Sequence, residues 1–163
     1  MKRVFLGFGS NIGNSQKIVT EAIKMISENK NFKMINKSSL YKTEPLLYKK
    51  QDYFINAVAE FSTSFNAEST LKYIHKIENK YHRIRNKKKR YGPRTLDIDI
   101  LFFNNETINT DSLKIPHPKF SERKFVLIPM AEIASDYKII DTKKTINSYL
   151  NECPNSSKVE KLK

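Results

Sequence analysis

The sequence predicts an α+β fold in which helices pack on one face of an antiparallel sheet, in a split βαβ arrangement. Three observations lead to this prediction. Strand-like and helix-like apolar spacings alternate along the chain in the order β-α-β-β-α-β. The length of 163 residues is typical of a single domain, here 1–163. The hydrophobic fraction of 39% is sufficient for a buried core.

The first half of the chain supplies three predicted strands and one helix. Val4, Leu6 and Phe8 alternate with other residues, as on a half-buried strand. After a turn, apolar residues recur every three or four positions, which predicts an amphipathic helix. In chain order we expect a strand over residues 3–9, a turn over 9–14, a helix over 15–26, a strand over 33–42, a loop over 44–51 and a strand over 53–61.

The second half supplies a capped helix and the most apolar strand. Asn66 is the predicted N-cap, and Glu68 lies in the first turn, where the helix dipole favours an acid. Asn104 and Asn105 are predicted to turn the apolar strand into a short partner near Ile108. In chain order we expect a helix after residue 66, a strand over 95–103, a helix or buried segment over 125–133 and a frayed tail from about residue 154.

Composition narrows the class of protein. The single cysteine, Cys153, excludes an intramolecular disulfide and fits a reducing compartment. The apolar run at residues 4–8 is too short for the core of a signal peptide, and no segment approaches the roughly 20 residues that span a bilayer. We therefore expect a cytoplasmic protein that does not interact with membranes.

The net charge of +13 is concentrated in one segment. Residues 80–94 contain eight basic residues and no acidic residue. Such a segment attracts polyanions, which here means nucleic acid or the phosphates of a small molecule. A solvated loop is the third interpretation, and the charge does not separate the three. The basic residues are Lys80, Arg83, Arg85, Lys87, Lys88, Lys89, Arg90 and Arg94.

Asp97 and Asp99 are the most informative residues. Strand alternation places both carboxylates on one face and the apolar residues that alternate with them on the other. Like charges on one face of an apolar strand repel, and a divalent cation between them removes the conflict. Oxygen ligands favour Mg²⁺, which typically takes one or two carboxylates together with substrate phosphates. The alternative is a solvated face whose aspartates pair with arginines. The apolar face is predicted to hold Leu96, Ile98, Ile100 and Phe102.

The neighbours of the two aspartates favour phosphate chemistry. Arg94 lies three residues before Asp97, and Arg83 and Arg85 precede the same strand. Acids that hold a cation, beside guanidinium groups that hold phosphate oxygens, are the components of phosphoryl transfer. The chain's four glycines form neither a Walker motif nor a dinucleotide fingerprint. A nucleotide would therefore be held by metal, arginine and backbone.

One predicted strand carries a candidate slot for a flat heterocycle. Phe54 and Asn56 share a face of the strand over residues 53–61. A ring that stacks, beside an amide that both donates and accepts, suits recognition of such a ligand. Aromatic residues on strands belong more often to the core, so the pattern leaves both interpretations open. His117, between Pro116 and Pro118, is more often structural than functional when judged alone.

Taken in order, these motifs resemble the 6-hydroxymethyl-7,8-dihydropterin pyrophosphokinase family of folate biosynthesis, from about residue 3 to about residue 135. The most specific element is Tyr-Gly-Pro-Arg-Thr-Leu-Asp-Ile-Asp-Ile over residues 91–100, similar to the family's G-P-R-T-x-D-x-D motif. The other matching elements are Gly9-Ser10-Asn11, Tyr41-x-Thr43-x-Pro45, Phe54-x-Asn56 and Ile115-Pro116-His117-Pro118, followed by Glu122, Arg123 and Phe125.

The resemblance implies a ferredoxin-like α+β fold and transfer of pyrophosphate from ATP to the pterin hydroxymethyl group, with release of AMP. It implies two Mg²⁺ ions held by Asp97 and Asp99. The catalytic residues it implies are Arg83, Arg94, Asp97 and Asp99. The ATP-binding residues it implies are Glu78, Arg85, Arg94, His117 and Arg123. The pterin-binding residues it implies are Thr43, Pro45, Phe54, Asn56 and Phe125.

The chain departs from the family pattern in the basic segment and nearby. Tyr91 stands where many members have Trp, Ser112 stands where some have Arg, and segment 86–90 is one residue longer than in some relatives. Loops 44–51 and 86–90 are predicted to close as lids over the substrates. The chain is expected to act as a monomer and not to bind nucleic acid.

Two alternative functions stay open at this point. An RNA-binding module would use a similar sheet and basic loop, although two acids on the strand repel phosphate and the RNP1 pattern is missing. A nucleotidyl transferase also uses two carboxylates and two metal ions. Release of inorganic pyrophosphate rather than AMP would identify that second reaction.

Overall fold

The computed structural model describes residues 1–82 and 92–163 and confirms the predicted α+β architecture. The strands are β1 (Lys2–Ser10), β2 (Phe32–Lys37), β3 (Tyr41–Thr43), β4 (Phe54–Thr63), β5 (Asp97–Phe103), β6 (Ile108–Asn109), β7 (Lys114–Ile115) and β8 (Val159–Lys161). The helices are α1 (Ser15–Ser27), α2 (Ala67–Lys80), α3 (Lys124–Ala134) and α4 (Ile146–Glu152), with a 3-10 helix at Phe120–Glu122. None of the helices in the described part is long and apolar enough to cross a membrane.

A six-stranded antiparallel sheet forms the centre of the fold. Its order is β5-β1-β4-β3-β8, and β2 pairs with the far end of β4. β1 lies between β4 and β5, which is the strand order of the split βαβ arrangement. β6 and β7 form a separate two-stranded hairpin, so the prediction that the segment near Ile108 pairs with the strand before it is wrong.

Helices cover both faces of the sheet, whereas one covered face was predicted. α1 and α2 pack on the face that carries Val4, Leu6 and Phe8. α3 packs on β4 across the opposite face, and α4 packs on α3. The predicted segment over residues 125–133 is thus a helix on the second face. α4 was not predicted, because its short, mostly polar sequence has a weak apolar pattern.

Side-chain caps fix the starts of the two helices on the first face. The Asn66 carboxamide oxygen accepts a hydrogen bond from the Ser69 amide at 2.8 Å, which confirms the predicted N-cap of α2. Asn14 caps α1 in the same way, accepting from the Lys17 amide at 3.2 Å. These caps set the residue at which each helix begins, and the apolar side chains of α1 and α2 then pack against the sheet.

The predicted strand over residues 33–42 is two strands. Ser38 separates β2 from β3, and its hydroxyl oxygen accepts from the Val58 amide at 3.0 Å while its own amide donates to the Val58 carbonyl at 2.8 Å. A side-chain oxygen therefore replaces a main-chain acceptor at this point of the ladder. Such local side-chain bonding interrupts a strand without leaving the partner strand unpaired.

The C-terminal segment forms an edge strand, so the predicted fraying from residue 154 is wrong for its last residues. β8 pairs with β3, with Val159 opposite Thr43 and Lys161 opposite Tyr41. The Leu162 amide donates to the carbonyl of Leu40, the residue before β3, at 2.9 Å. Main-chain pairing of this kind depends little on side-chain type, so the polar composition of the tail concealed it.

β5 contains a β-bulge at Leu101. Leu6 of β1 pairs with Ile100, whereas the preceding Phe5 pairs with Phe102, so Leu101 is an extra residue in β5. An extra residue reverses the alternation of side chains between the two faces of a strand. The bulge thus divides β5 into two parts with opposite phase.

The bulge explains one wrong prediction and leaves the central one correct. Before it, Asp97 and Asp99 point to the α3 side while Ile98 faces α1 and α2. After it, Phe102 lies on the α3 side, and Phe103 packs in the core that α1 and α2 cover. Phe102 therefore does not pack with Ile98, although both aspartates share a face as predicted.

Candidate active site

A cleft opens on the α3 side of the sheet, between α3 and the segment that follows β3. Its floor is formed by Gly7 and Gly9 of β1 and by Asp97 and Asp99 of β5. The sheet order explains this arrangement, because β1 is the direct neighbour of β5. The structure brings six further predicted site residues to the same cleft, namely Thr43, Phe54, Asn56, Arg94, Arg123 and Phe125.

The acidic end of the cleft is balanced by cationic side chains. Asp97 Oδ2 accepts a short hydrogen bond from Nη1 of Arg94. Asp99 Oδ2 lies 3.4 Å from Nη1 of Arg123 and 3.8 Å from Nε2 of His117. Each carboxylate therefore faces a guanidinium group, which removes the repulsion that two neighbouring acids would otherwise experience.

Glu78 positions the strand that carries the two aspartates. Its side chain is fully buried, and its Oε1 accepts a hydrogen bond from the Ile98 amide at 2.8 Å. Ile98 lies between the two aspartates, so this bond fixes the strand at the centre of the site. Glu78 is buried and lines neither of the two clefts of the described structure, and its place among the ATP-binding residues stays a prediction.

His117 is a neutral hydrogen-bonding group beside Asp99. Burial and the nearby Arg123 charge lower the pKa of His117 to about 4. Its Nδ1 accepts from the Lys119 amide at 3.1 Å, which assigns the ring proton to Nε2. His117 therefore presents an N–H donor, not a cation, to the acidic end of the cleft at neutral pH.

The His117 pKa predicts a pH-dependent stability for the protein without nucleotide or metal. The unfolded chain protonates His117 near its ordinary pKa of 6.5, whereas the folded chain resists protonation down to about 4. Stability that is present at neutral pH is therefore lost on acidification, by about 2 kcal/mol for this group between about pH 7 and about pH 5. Urea unfolding in EDTA should show this loss reduced in His117→Gln. An equal loss in both proteins would contradict the assignment.

The other end of the cleft combines aromatic rings with a buried amide. Phe54 and Phe125 approach it from the sheet and from the first turn of α3. The Asn56 side chain is buried, and its Nδ2 donates to Thr43 Oγ1 at 3.0 Å. The Asn56 carboxamide is thus held in a fixed orientation, with its oxygen on the side of Gly9.

The glycines of β1 leave this floor without side chains. A Cβ atom added to Gly9 would lie 3.0 Å from Asn56 Oδ1, and one added to Gly7 would lie 3.4 Å from the side chain of Leu101. A flat ligand can therefore approach the sheet backbone closely at this point. The composition contained the signal, because two of only four glycines lie two residues apart in one strand.

The loop between β3 and β4 forms one wall of the cleft. Glu44, Leu46 and Gln51 line it, whereas the predicted Pro45 is buried and does not. Leu47 also lines the cleft, and both Leu47 and Tyr48 are exposed. That this loop closes as a lid stays a prediction.

A second cleft meets the first at Asp99. It lies between α2, β5 and the β6–β7 hairpin, and it is lined by the apolar Leu71, Ile98, Ile100 and Leu113 and by the polar His75, Asp111, Ser112, Lys114 and His117. Asp99 lines both clefts. The sequence did not predict this second cleft, because its residues come from four separate segments without a common pattern.

Several predicted residues lie outside the described part of the chain. These are Arg83, Arg85, Tyr91 and the loop over residues 86–90, including its lysines. Their proposed contacts with phosphate, and the closing of that loop, therefore stay predictions.

Comparison with known proteins agrees with the motifs and with the geometry. Residues 5–135 match the 7,8-dihydro-6-hydroxymethylpterin-pyrophosphokinase (HPPK) family. The 2-amino-4-hydroxy-6-hydroxymethyldihydropteridine pyrophosphokinase of Bacillus subtilis is 40% identical over 129 residues, which are 79% of this chain and 76% of that protein. Its Haemophilus influenzae counterpart is 38% identical over 136 residues, which are 83% of this chain and 84% of that protein.

A solved structure shows the same fold. The crystal structure of Plasmodium falciparum HPPK-DHPS covers 93% of this chain with a TM-score of 0.70 and 18% identity, and the chain spans 43% of its length. At that identity the likeness concerns the fold alone. The family match and the bacterial relatives go further: the chain belongs to the 7,8-dihydro-6-hydroxymethylpterin-pyrophosphokinase family and is an enzyme of pyrophosphoryl transfer in folate biosynthesis.

Proposed function

We propose that this pyrophosphokinase uses ATP and Mg²⁺ and transfers pyrophosphate to the hydroxymethyl group of 6-hydroxymethyl-7,8-dihydropterin. The hydroxymethyl oxygen forms a bond to the β-phosphorus of ATP, and the bond from that phosphorus to the oxygen of the α-phosphate breaks. AMP leaves and the hydroxyl proton is released. The observation that carries this proposal is that Asp99 lines both clefts, so a phosphate chain that joins their two ligands passes the acidic residues.

The first cleft suits the pterin. Phe54 and Phe125 offer ring faces for a flat heterocycle, and the glycine floor lets that heterocycle lie against the sheet. Asn56 and Thr43 supply the polar groups that read its edge, because a carboxamide both donates and accepts. The buried position of Asn56 supports specificity, since a ligand that fails to match it leaves polar groups unpaired.

The second cleft suits the nucleoside part of ATP. Leu71, Ile98 and Leu113 form an apolar wall for a base, and Lys114 lies beside them with a positive charge. His117 stands where the two clefts meet and directs an N–H toward the phosphate path. The direction of ATP then runs from the second cleft toward Asp99.

Asp97 and Asp99 fit Mg²⁺ by donor type and position. Both offer carboxylate oxygens from one face of β5, and Mg²⁺ usually takes one or two carboxylates with substrate phosphates. Bound there with ATP, Mg²⁺ would neutralise phosphate charge and make the β-phosphorus easier to attack. Arg94 and Arg123 now pair with these acids, so arrival of phosphates lets both guanidinium groups exchange a carboxylate for a phosphate oxygen.

An assay of products tests the proposal. The purified chain is incubated with ATP, Mg²⁺ and 6-hydroxymethyl-7,8-dihydropterin, and nucleotides are separated by chromatography. We expect AMP and the pterin diphosphate in equal amounts. Neither product should form when EDTA is added or when the pterin is left out. Inorganic pyrophosphate in place of AMP would identify nucleotidyl transfer and overturn the proposal.

Gly9→Ala tests the pterin end of the site. The added methyl group forces the Asn56 amide to shift, so we expect pterin affinity about tenfold weaker, equivalent to one hydrogen bond of about 1.4 kcal/mol. Gly7→Ala adds the same methyl group at another point of the floor, where it meets the side chain of Leu101 and not Asn56, so we expect a smaller loss of affinity. Fluorescence titration with 6-hydroxymethylpterin and a nonhydrolysable ATP analogue measures both. Equal losses would show that Asn56 is not the group affected.

A further inference from the structure

Asn11 joins the two segments that enclose the reacting groups. It follows the last residue of β1 and is 5% exposed. Its main-chain amide donates to the Arg94 carbonyl at 2.9 Å, and its Oδ1 accepts from the Arg94 amide at 2.7 Å. Its Nδ2 donates to Gln51 Oε1 at 3.0 Å and to the Asp52 carbonyl at 3.1 Å. One buried residue thus uses its side-chain oxygen toward one segment and its side-chain nitrogen toward another.

The first pair of hydrogen bonds fixes the backbone of Arg94. Two bonds between the same two residues restrain both position and direction of the chain. The guanidinium group of Arg94 extends from this anchored backbone to Asp97, at the acidic end of the cleft. The place where Arg94 can meet phosphate is therefore set in part by Asn11.

The second pair fixes the end of the loop that walls the pterin end. Gln51 lines the first cleft, and Asp52 lies two residues before Phe54. A displacement of this loop end is transmitted through Nδ2 to Asn11, and from there through Oδ1 to Arg94. The connection consists of hydrogen bonds within the protein and does not need a substrate to complete it.

We propose that Asn11 is a positioning residue that couples occupancy of the pterin site to occupancy of the phosphate site. The inference rests on the proposed function, because it concerns the two substrates named there. A carboxamide suits the role, since it offers two donors on one side and an acceptor on the other. Ordering of the loop by pterin then favours the Arg94 geometry that phosphate needs, and by linkage the nucleotide favours pterin by the same factor.

Asn11→Asp tests the coupling with a minimal change. The acceptor for the Arg94 amide is kept, whereas an oxygen replaces Nδ2 and repels the Asp52 carbonyl. Asn14→Asp is the matched control: it lies three residues away, and aspartate caps α1 as well as asparagine does. Calorimetry gives the dissociation constant of 6-hydroxymethylpterin with and without Mg²⁺ and a nonhydrolysable ATP analogue. The ratio of the two constants is the coupling factor.

In the wild-type chain and in Asn14→Asp we expect a coupling factor of about 5–150. In Asn11→Asp it should fall toward one, while the affinity for the nucleotide analogue alone changes less than about threefold. A wild-type factor of one, or a factor unchanged in Asn11→Asp, overturns the inference. A parallel loss of both separate affinities and of melting temperature also overturns it, since that result indicates a structural role alone.

Gln51→Ala supplies a second variant that spares the contact with Arg94. It removes one hydrogen bond on the loop side only, so the coupling factor should fall by less than in Asn11→Asp. The double variant should show no further fall, because both changes cut the same connection. Failure of the proposed function looks different: the wild-type chain then forms no AMP or binds neither ligand.

Discussion

Asp97→Asn and Asp99→Asn should each lower the rate of AMP formation by about a thousandfold or more, equivalent to about 4 kcal/mol of transition-state stabilisation. The amide keeps the size of the side chain but loses the charge that a magnesium ion requires. The expected loss is in kcat, because the proposed metal ion would act on charge that develops during transfer. Rapid-quench measurement of AMP at saturating substrates gives this value directly.

The folds of these two variants should remain intact. Asp97 and Asp99 are partly exposed within the cleft, and their guanidinium partners can turn toward water when the carboxylate is neutralised. We expect unfolding free energies within about 2 kcal/mol of the wild-type value. Asp136→Asn is the control for the same chemical change, because Asp136 is exposed beyond the end of α3. Turnover within tenfold of wild type in both cleft variants would refute the metal assignment.

Arg94→Ala should lower kcat by about a hundredfold or more while the KM for pterin changes little. In the proposed function the guanidinium group would lie where charge moves from the β-phosphorus to the departing AMP, so its contribution would belong to the transition state. The main-chain bonds from Arg94 to Asn11 do not involve the side chain and should persist. The loop on the pterin side therefore keeps its anchor in this variant.

Arg94→Lys separates charge from geometry at the same position. Lysine keeps the positive charge but lacks the planar fork that binds two oxygens together. A rate between those of wild type and Arg94→Ala would assign part of the effect to that fork. Steady-state kcat and KM for both substrates make the comparison. A raised KM with unchanged kcat in Arg94→Ala would show that Arg94 only binds substrate and takes no part in transfer.

Local patterns were sufficient to predict most of the central fold. β1, α1 and α2 follow strong periodicities, and Asn66 supplied a recognisable start for α2. The common face of Asp97 and Asp99 follows from strand alternation alone. These features depend on residues that lie close together in sequence, which is where a single sequence is most informative.

Features that depend on distant partners were not predicted. The bulge at Leu101 is defined by the register with β1, and β8 is defined by its pairing with β3. The second cleft collects residues from α2, β5 and the β6–β7 hairpin. No short window of sequence contains such relations.

In the site, too, the residues that belong to short motifs were predicted, and the roles that depend on distant partners were not. The acids, Arg94 and the Phe54-Asn56 pair follow from short motifs, and the structure brings them to one cleft. The roles of Glu78 and Asn11 follow from hydrogen bonds to residues 20 and 83 positions away in the chain. The sequence does not distinguish a buried carboxylate that accepts a hydrogen bond from a strand amide from a carboxylate that contacts a ligand.

The extra residue at Leu101 has a consequence for how this enzyme can vary. Upstream of it the strand places two acids in the cleft, and downstream it supplies apolar side chains to the cores on the two faces of the sheet. Removing one residue from this stretch would give both halves of β5 the same side-chain alternation. Either the carboxylates would then point away from the cleft, or the phenylalanines would point to the opposite face of the sheet. A substitution of one aliphatic side chain for another should therefore be tolerated at Leu101, whereas a deletion that shortens the spacing from the aspartates to the phenylalanines should not.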